Sequence, residues 1–315
     1  NLYEWYTIIA FNQLNKNVPD EKIQEVIESI ENNEGYHRNV TETAKWILIL
    51  TSAGKDATNI AGFNLIDSLT NHERMTIQGN NGPIYSLLAL DSGNYTVDED
   101  AQWTREILVK TILNAQLDNG AWPLFGTLPN FDITAVAIAA LSPYADQENV
   151  NEAINKGVDW LSTIYLNDGG YNDPFSGGEA SETISQVIVG LTANHEDPTS
   201  EKFMLQDKNL VTHLLSYKND DGGFAHLIED VKSNVIATAQ ALLALVSYEK
   251  YLNNEGSVFQ FNNKPSDNKE PSDNEVPIEE EPADSDNSGN DENIADDEDS
   301  TDDENSVDDK DSTDN

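Results

Sequence analysis

The segment Phe131–Leu141 has the sequence FDITAVAIAAL, and as a helix it is apolar around almost its whole circumference. A helix without a polar face has to be covered on more than one side, so this segment predicts a helix inside the protein. Five other short segments share this character and recur about every 40 to 54 residues, an interval that holds two helices and two loops. The six apolar copies are Trp5–Phe11, Thr43–Leu50, Pro83–Leu90, Thr134–Leu141, Ile184–Leu191 and Thr238–Leu245.

The segments between these copies are amphipathic. Val150–Tyr165 has an apolar stripe on one side and Asn, Glu, Lys and Asp residues on the other, and Arg105–Gln116 and Leu210–Tyr217 show the same pattern. Apolar helices that alternate with half-apolar helices predict two concentric layers, in which inner helices face an axis and outer helices face water. Near-equal repeats without polar end caps favour a closed ring over an open stack.

The loops of the repeat are also alike. Asp118–Trp122, Asn167–Tyr171 and Asp220–Phe224 each follow an outer helix, and Asn33–Tyr36 is a fourth copy. Their glycines accept the positive φ that ends a helix, and the aromatic residue after them is expected to pack back on the ring.

The end of the chain has a different composition. Residues 262–315 contain 22 of the 58 acidic side chains, only three lysines and no aromatic residue. A segment that repels itself and has little apolar surface to bury cannot offset the entropy of ordering, so we predict a disordered acidic spacer. We place the boundary between the helical domain, 1–255, and this linker, 256–315.

Charge and composition exclude several functions. The net charge of −41 would repel nucleic acid and anionic membranes, and no apolar run is long enough for a transmembrane segment. The chain has no cysteine, which removes disulfides, thiolate zinc sites, thioesters and cysteine nucleophiles. Its five histidines are scattered, so we predict neither a metal site nor a cofactor.

At its loops the chain resembles the prenyltransferase and squalene-cyclase repeat superfamily. Arg105–Gln116, followed by Gly120 and Trp122, resembles the Gln–Trp repeat of that superfamily in full. The motif decays in the next two copies, where the glutamine position holds Tyr165 or Lys218. The tryptophan position there holds Tyr171 or Phe224.

The resemblance is closest to the cyclase-like toroids of Gram-positive bacterial surface proteins. Three stretches of sequence are similar to that group: Gln78–Ile84, Ala89–Tyr95 and Thr134–Tyr144. The resemblance implies an all-α fold, an α/α-toroid of six helical hairpins, with a pocket where the inner helices begin. The first outer helix is expected to lie outside this sequence. The resemblance also implies a secreted or wall-attached protein, with the toroid as a monomeric domain of a longer surface protein.

One acid matches a catalytic motif of the resembled family. Terpene cyclases of this superfamily protonate their substrate with the middle acid of Asp-x-Asp-Asp-Thr-Ala, and the matching stretch here runs from Asn130 to Ala135. Asp132 holds the middle position, but Asn130 and Ile133 replace the flanking acids. Asp132 is therefore either the general acid of a cyclase-like enzyme or the N-cap of the helix that follows.

A pair of acids for glycoside hydrolysis is a further possibility, since Asp132 and Glu182 precede neighbouring inner helices. The alternative is again helix capping, with Thr183 able to cap the helix after Glu182.

The hypothesis we favour is a non-catalytic module that binds a ligand or displays a surface. Gln186 and Gln240 occupy the same place in successive copies, either as ligand-binding groups or as a buried hydrogen-bond pair. The ligand would be a small apolar molecule or, by resemblance to vertebrate cobalamin carriers, a corrinoid. The ligand-binding residues we predict are Trp46, Trp122, Asn130, Tyr171, Glu182, Gln186, Phe224 and Gln240.

Overall fold

The structure is a computed structural model that describes residues 5–173 and 176–261. The predicted acidic spacer, from residue 262 onward, lies outside these described residues. Within them the protein is mostly helical, with eleven α-helices and three short β-hairpins. No helix in the described ranges combines the length and the apolar character that crossing a bilayer requires.

Six helices contain the six apolar segments, so the predicted inner helices are confirmed as helices. Most of their central residues are buried, and Ile133 to Leu141 form one continuous buried stretch, whereas buried and half-buried residues alternate in the last of the six. A helix buried in this way needs neighbours on several sides. The six are α1 (Trp5–Gln13), α3 (Val40–Ser52), α5 (Asn81–Ser92), α7 (Phe131–Leu141), α9 (Ser181–Ala193) and α11 (Val235–Leu252).

Five helices alternate with these along the chain and bury one side only. In the longest of them the predicted stripe Val150, Ile154, Val158, Leu161 and Tyr165 is buried, which confirms its amphipathic pattern. The five are α2 (Asp20–Asn32), α4 (Leu65–Thr70), α6 (Arg105–Asn114), α8 (Glu148–Asp168) and α10 (Leu210–Leu215).

The apolar helices pack against one another in chain order. Helix α1 contacts α3, α3 contacts α5, α5 contacts α7, α7 contacts α9, and α9 contacts α11. Helix α11 also contacts α1, so each of the six has two apolar neighbours. The flanking helices lie against this set, with α2 on α3, α4 on α3 and α5, α6 on α5, α8 on α7, and α10 on α9.

Two short hairpins, which the sequence pattern did not predict, lead into two of the apolar helices. Strands β1 (Trp122–Pro123) and β2 (Pro129–Asn130) pair directly before α7, with Trp122 opposite Asn130. Strands β3 (Asn172–Asp173) and β4 (Gly178–Glu179) do the same before α9. The third hairpin, β5 (Met204–Leu205) with β6 (Lys208–Asn209), precedes α10.

Three of the four repeated loops behave as their sequence predicted. In the fourth, Gly35 has a positive φ of 71°, but Tyr36 is 42% exposed, so the prediction that its aromatic residue packs back is wrong there. Gly120 has a φ of 91°, in the left-handed region that an L-residue rarely adopts. The Trp122 ring is fully buried, and its Nε1 donates a hydrogen bond of 2.7 Å to the Ile112 carbonyl in α6. Tyr171 is equally buried and donates from its hydroxyl to the Leu161 carbonyl in α8, at 3.2 Å. Each aromatic residue therefore binds its loop to the preceding amphipathic helix.

Gln116, the glutamine of the Gln–Trp motif, links its own loop to helix α8. Gln116 Nε2 donates to the carbonyl of Gly120 in its own loop and to that of Ala153 in α8, both at 2.8 Å. Arg105, at the start of the motif, forms an ion pair of 2.7 Å with Asp91 at the end of α5. The Tyr144 hydroxyl donates to the same carboxylate at 2.9 Å.

The core continues past residue 255, where the sequence placed the end of the domain. Val258 is fully buried and Phe259 is 2% exposed, and the Phe259 ring stacks on Trp5 with 6.5 Å between ring centroids. Gln13 Nε2 donates to the Val258 carbonyl at 2.6 Å, and the Phe261 N–H donates to the Ser92 carbonyl at 2.9 Å. Residues 256–261 are therefore part of the domain.

Phe259→Ala tests this extension of the core. We expect the free energy of unfolding to fall by about 3 to 5 kcal/mol, because a fully buried aromatic ring is removed and a cavity is left. Urea titration of both variants measures the change. The matched control is Phe125→Ala, at a ring that is 57% exposed, which should change stability by no more than about 0.5 kcal/mol. Equal losses in the two variants would contradict the assignment of Phe259 to the core.

Candidate functional site

A cavity of about 410 Å³ lies at the N-terminal ends of the apolar helices. All six helices contribute to its lining, and most of the lining side chains are polar. Three aromatic residues, Trp5, Tyr6 and Tyr85, also line it. The lining residues are Trp5, Tyr6, Thr41, Glu42, Lys45, Gln78, Asn81, Tyr85, Leu124, Asn130, Asp132, Ile133, Val136, Gln186 and Gln240.

The structure brings four of the predicted site residues together in this cavity: Asn130, Asp132, Gln186 and Gln240. Trp46 lines a different cavity, of about 300 Å³, between α1, α2 and α3. Trp5 and Glu42 line both cavities, so the two meet at these residues.

The remaining predicted ligand-binding residues do not line the 410 Å³ cavity. Trp122, Tyr171 and Phe224 are at least 95% buried in the wall of the domain. Their backbone N–H groups are bound by side chains there: Trp122 by the Thr134 hydroxyl at 2.9 Å, and Phe224 by the Thr238 hydroxyl at the same distance. These three aromatic residues hold the loops in place.

Gln186 and Gln240 form the hydrogen-bonded pair that the sequence offered as one of two interpretations. Gln186 Nε2 donates to Gln240 Oε1 at 2.9 Å and to the Tyr6 hydroxyl at 3.1 Å. The other end of the same amide is unsatisfied, because Gln186 Oε1 is buried and has no partner among the described residues. Since Gln186 is only 5% exposed, this acceptor is paired neither with protein nor with bulk water.

Asn130, and not Asp132, is the N-cap of α7. Its Oδ1 accepts a hydrogen bond from the Ile133 N–H at 2.9 Å, and its backbone is extended. The prediction that Asp132 caps the helix is wrong because the helix begins at Phe131, two residues before the start that a cap at Asp132 would give. Pairing of Asn130 with Trp122 in the β1–β2 hairpin positions the asparagine for this role.

Asp132 does not cap α7, and its carboxyl interacts with the Thr183 hydroxyl. It lies in the first turn of α7, and its Oδ1 is buried without a hydrogen-bond partner in the described part of the chain. Burial raises the pKa of this carboxyl to about 6. The Thr183 hydroxyl opposes the rise, while the negative charges of Asp173 and Glu182 add to it.

Glu182 is held by a histidine. His226 Nδ1 lies 2.9 and 3.0 Å from the two carboxylate oxygens of Glu182, and its Nε2 lies 3.0 Å from the Ser176 carbonyl. Burial lowers the pKa of His226, but the hydrogen bond and charge of Glu182 outweigh it, so the pKa is raised overall. No side chain caps α9, whose N-cap is Ala180, so the predicted cap at Glu182 and Thr183 is wrong. Glu182 also does not line the cavity, which leaves the glycosidase pair without support.

The sequence prediction missed the aromatic side of the cavity. The Trp5 and Tyr6 ring centroids lie 3.9 Å apart, and Tyr85 meets Trp5 edge-on at 6.0 Å. A signal for these residues is present in the repeat. When the six apolar segments are aligned on their last residues, the position five residues earlier lines the cavity in every copy. These residues are Tyr6, Lys45, Tyr85, Val136, Gln186 and Gln240.

No protein-family model matches this chain, and neither a curated protein nor a solved structure matches it. Within residues 5–173 and 176–261, no group of histidine and acidic side chains could hold a metal ion. The chemistry available to the site therefore has to be derived from its own side chains.

Asp132→Asn should stabilise the protein near neutral pH. Because the folded-state pKa is raised, the contribution of this carboxyl to stability is fully present below its usual pKa of 3.8 and is lost as pH rises through about 6. We expect a gain of about 2 to 3 kcal/mol at pH 7.5 that vanishes near pH 4, measured by urea titration across this range. Asp100→Asn, the same change at an exposed acid, should have no comparable effect. A gain independent of pH would contradict the shifted pKa.

The Gln186–Gln240 hydrogen bond should appear as an energetic coupling. In a double-mutant cycle with Gln186→Ala and Gln240→Ala, we expect the free energies of unfolding to depart from additivity by about 0.5 to 1.5 kcal/mol. Chemical denaturation of the four proteins gives the value. Pairing Gln186→Ala with Asp100→Ala provides the uncoupled control. Additive losses for the two glutamines would show that their contact contributes nothing measurable.

Proposed function

We propose that this chain is an α/α-toroid of the prenyltransferase and squalene-cyclase repeat type and serves as a non-catalytic ligand-binding module. The contact order of the apolar helices supports the ring, because it returns from α11 to α1. The motif residues Gln116 and Trp122 support the family assignment, since each ties its loop to a neighbouring helix. A secreted or wall-attached bacterial protein is the setting that the resemblance implies.

One observation carries the binding function: two residues that line the cavity each have a buried acceptor atom without a hydrogen-bond partner among the described residues. Gln186 Oε1 and Asp132 Oδ1 both belong to residues that line it. Leaving a buried polar atom unpaired costs about 1 to 3 kcal/mol, and a protein under no functional constraint gains stability by replacing such groups. A ligand that donates hydrogen bonds removes this cost when it binds. The cavity volume of about 410 Å³ is within the range of small-molecule sites.

The same cavity is poorly suited to cyclising a hydrocarbon. A carbocation has to be kept from water and from nucleophilic side chains, whereas most side chains that line this cavity are polar. Asp132 also lacks the flanking acids of the cyclase motif, because Asn130 is a helix cap and Ile133 is apolar. With a pKa of about 6, the carboxyl is mostly ionised at neutral pH and is a weak proton donor to an alkene.

A cyclase-like enzyme is the second candidate, and specific features favour it. Asp132 has the raised pKa of a general acid, and the rings of Trp5, Tyr6 and Tyr85 could stabilise positive charge beside it. Corrinoid binding, the third candidate, rests on the resemblance to cobalamin carriers alone.

A turnover assay separates the first two candidates. We expect no product when the full chain is incubated with squalene or with geranylgeranyl diphosphate at pH 5.5 and 7.5, because the cavity is polar and its acid isolated. Extraction and mass spectrometry detect the products. Wild type and the Asp132→Asn variant should both match the protein-free control. Turnover by wild type that Asp132→Asn abolishes would overturn the non-catalytic proposal.

The binding function has its own test. In a fragment screen by NMR, we expect some compounds to shift the signals of Tyr6, Tyr85 and Gln240, which lie on three different helices around the cavity. Residues on the outer face of α8 serve as the control, and they should not respond. Titration with hydroxocobalamin, followed by absorbance, tests the corrinoid alternative. If no compound shifts the signals of the cavity residues, the ligand-binding proposal fails. A non-catalytic module that displays a surface would then be the remaining hypothesis.

A further inference from the structure

We propose that the cavity recognises an organic ammonium group, so that its ligand is a small primary amine with an apolar or aromatic body. This inference rests on the proposed ligand-binding function and adds the chemical class of the ligand. Four properties of the cavity lead to it: its unpartnered acceptors, its charge, its aromatic surface and its size.

Among the residues that line the cavity, the buried side-chain atoms without a hydrogen-bond partner in the described part of the chain are both acceptors. Asp132 Oδ1 and Gln186 Oε1 are buried without partners, and Gln186 is only 5% exposed. The amide donor of Gln186 is already used, because its Nε2 donates to both Gln240 and Tyr6. A matching ligand has to bring N–H or O–H donors, and an ammonium group brings three donors and no acceptor.

The charge of the cavity also favours a cation. Its one lysine, Lys45, is neutralised by Glu42 at 3.0 Å, so Asp132 is the acid left without a counter-ion in the lining. Asp173 and Glu182 add negative charge around Asp132, although Glu182 shares its charge with His226. A bound cation would relieve this repulsion and pair with the carboxylate in a charge-assisted hydrogen bond.

The aromatic residues lie next to these acceptors. Tyr6 connects the acceptor residues with the aromatic residues, because its hydroxyl accepts a hydrogen bond from Gln186 while its ring packs on Trp5. Tyr85 completes the cluster, with its hydroxyl 3.5 Å from that of Tyr6. Faces of Trp and Tyr attract cations and also pack against apolar ligand atoms. A carboxylate beside aromatic rings is therefore suited to an amine that has a ring or a short apolar chain.

The same features reject other ligand classes. A phosphate, diphosphate or carboxylate would meet the acceptor oxygens of Asp132 and Gln186, while the one lysine of the lining is already paired with Glu42. A pure hydrocarbon would leave both acceptors unpaired, so their cost would remain in the complex. The volume of about 410 Å³ holds a compact ligand and excludes an extended polymer.

The test uses three probes that share a phenylethyl body and differ in charge: phenethylammonium, 2-phenylethanol and phenylacetate. They are titrated into the full chain by calorimetry at pH 7.5 and 150 mM NaCl, which screens the acidic segment beyond residue 261. We expect phenethylammonium to bind at least tenfold more tightly than 2-phenylethanol, and phenylacetate not to bind.

Two variants with the same change in charge locate the binding. Asp132→Asn should weaken phenethylammonium at least tenfold, whereas Asp100→Asn, at an exposed acid outside the cavity lining, should not. Circular dichroism confirms that both variants are folded. The comparison of the three probes on wild type stands even if a variant is lost.

Each other outcome overturns the inference. Equal binding of phenethylammonium to wild type and Asp132→Asn would place the cation outside the cavity. If 2-phenylethanol or phenylacetate binds more tightly, and Asp132→Asn changes that binding, the cavity is a ligand site for a different class. The proposed function then survives without the ammonium assignment. If none of the three binds at millimolar concentration, the ammonium assignment fails, and the fragment screen alone decides whether the cavity binds ligands.

Discussion

The structure depends on the mutual burial of six helices that have no polar face. Helix α7, with nine consecutive buried residues from Ile133 to Leu141, cannot be satisfied by one neighbour. Each apolar helix covers two others, and the amphipathic helices cover what remains on the outside. Because water is removed from so much side-chain surface, this arrangement is the main source of stability. The loops, caps and hairpins adjust where each helix begins.

The arrangement creates the candidate site as a consequence of its geometry. Helices that pack side by side and begin at the same end bring their first turns together, so side chains at one repeat position become neighbours. Tyr6, Gln186 and Gln240 occupy that position in three copies separated by most of the chain, and they are joined by hydrogen bonds. Asp132, in the first turn of α7, lines the same cavity, and its Oδ1 is buried without a hydrogen-bond partner among the described residues. Burial raises the pKa of this carboxyl, so the ionised form lowers stability at neutral pH. Buried acids with such a cost are typical of functional sites.

Much of this could be predicted from periodicity. The six apolar segments, the amphipathic stripe of α8 and the left-handed Gly120 before a buried Trp122 each follow from local patterns and backbone sterics. The pairing of Gln186 with Gln240 was accessible because polar residues recurring inside apolar segments stand out. The aromatic residues Trp5, Tyr6 and Tyr85 were not recognised, because within an apolar segment they look like ordinary core residues.

What the sequence by itself determined was the kind and number of the helices, since helix burial depends on the spacing of apolar side chains within one segment. The tertiary structure decided which polar groups are paired. The β1–β2 hairpin positions Asn130 as the N-cap of α7, so Asp132 does not cap this helix. His226, 44 residues after Glu182 in the sequence, binds the carboxylate of Glu182. The tertiary structure also brought Val258 and Phe259 into the core through contacts with α1, which is remote from them in sequence. Pairing of this kind depends on distances between residues remote in sequence, which no local pattern contains.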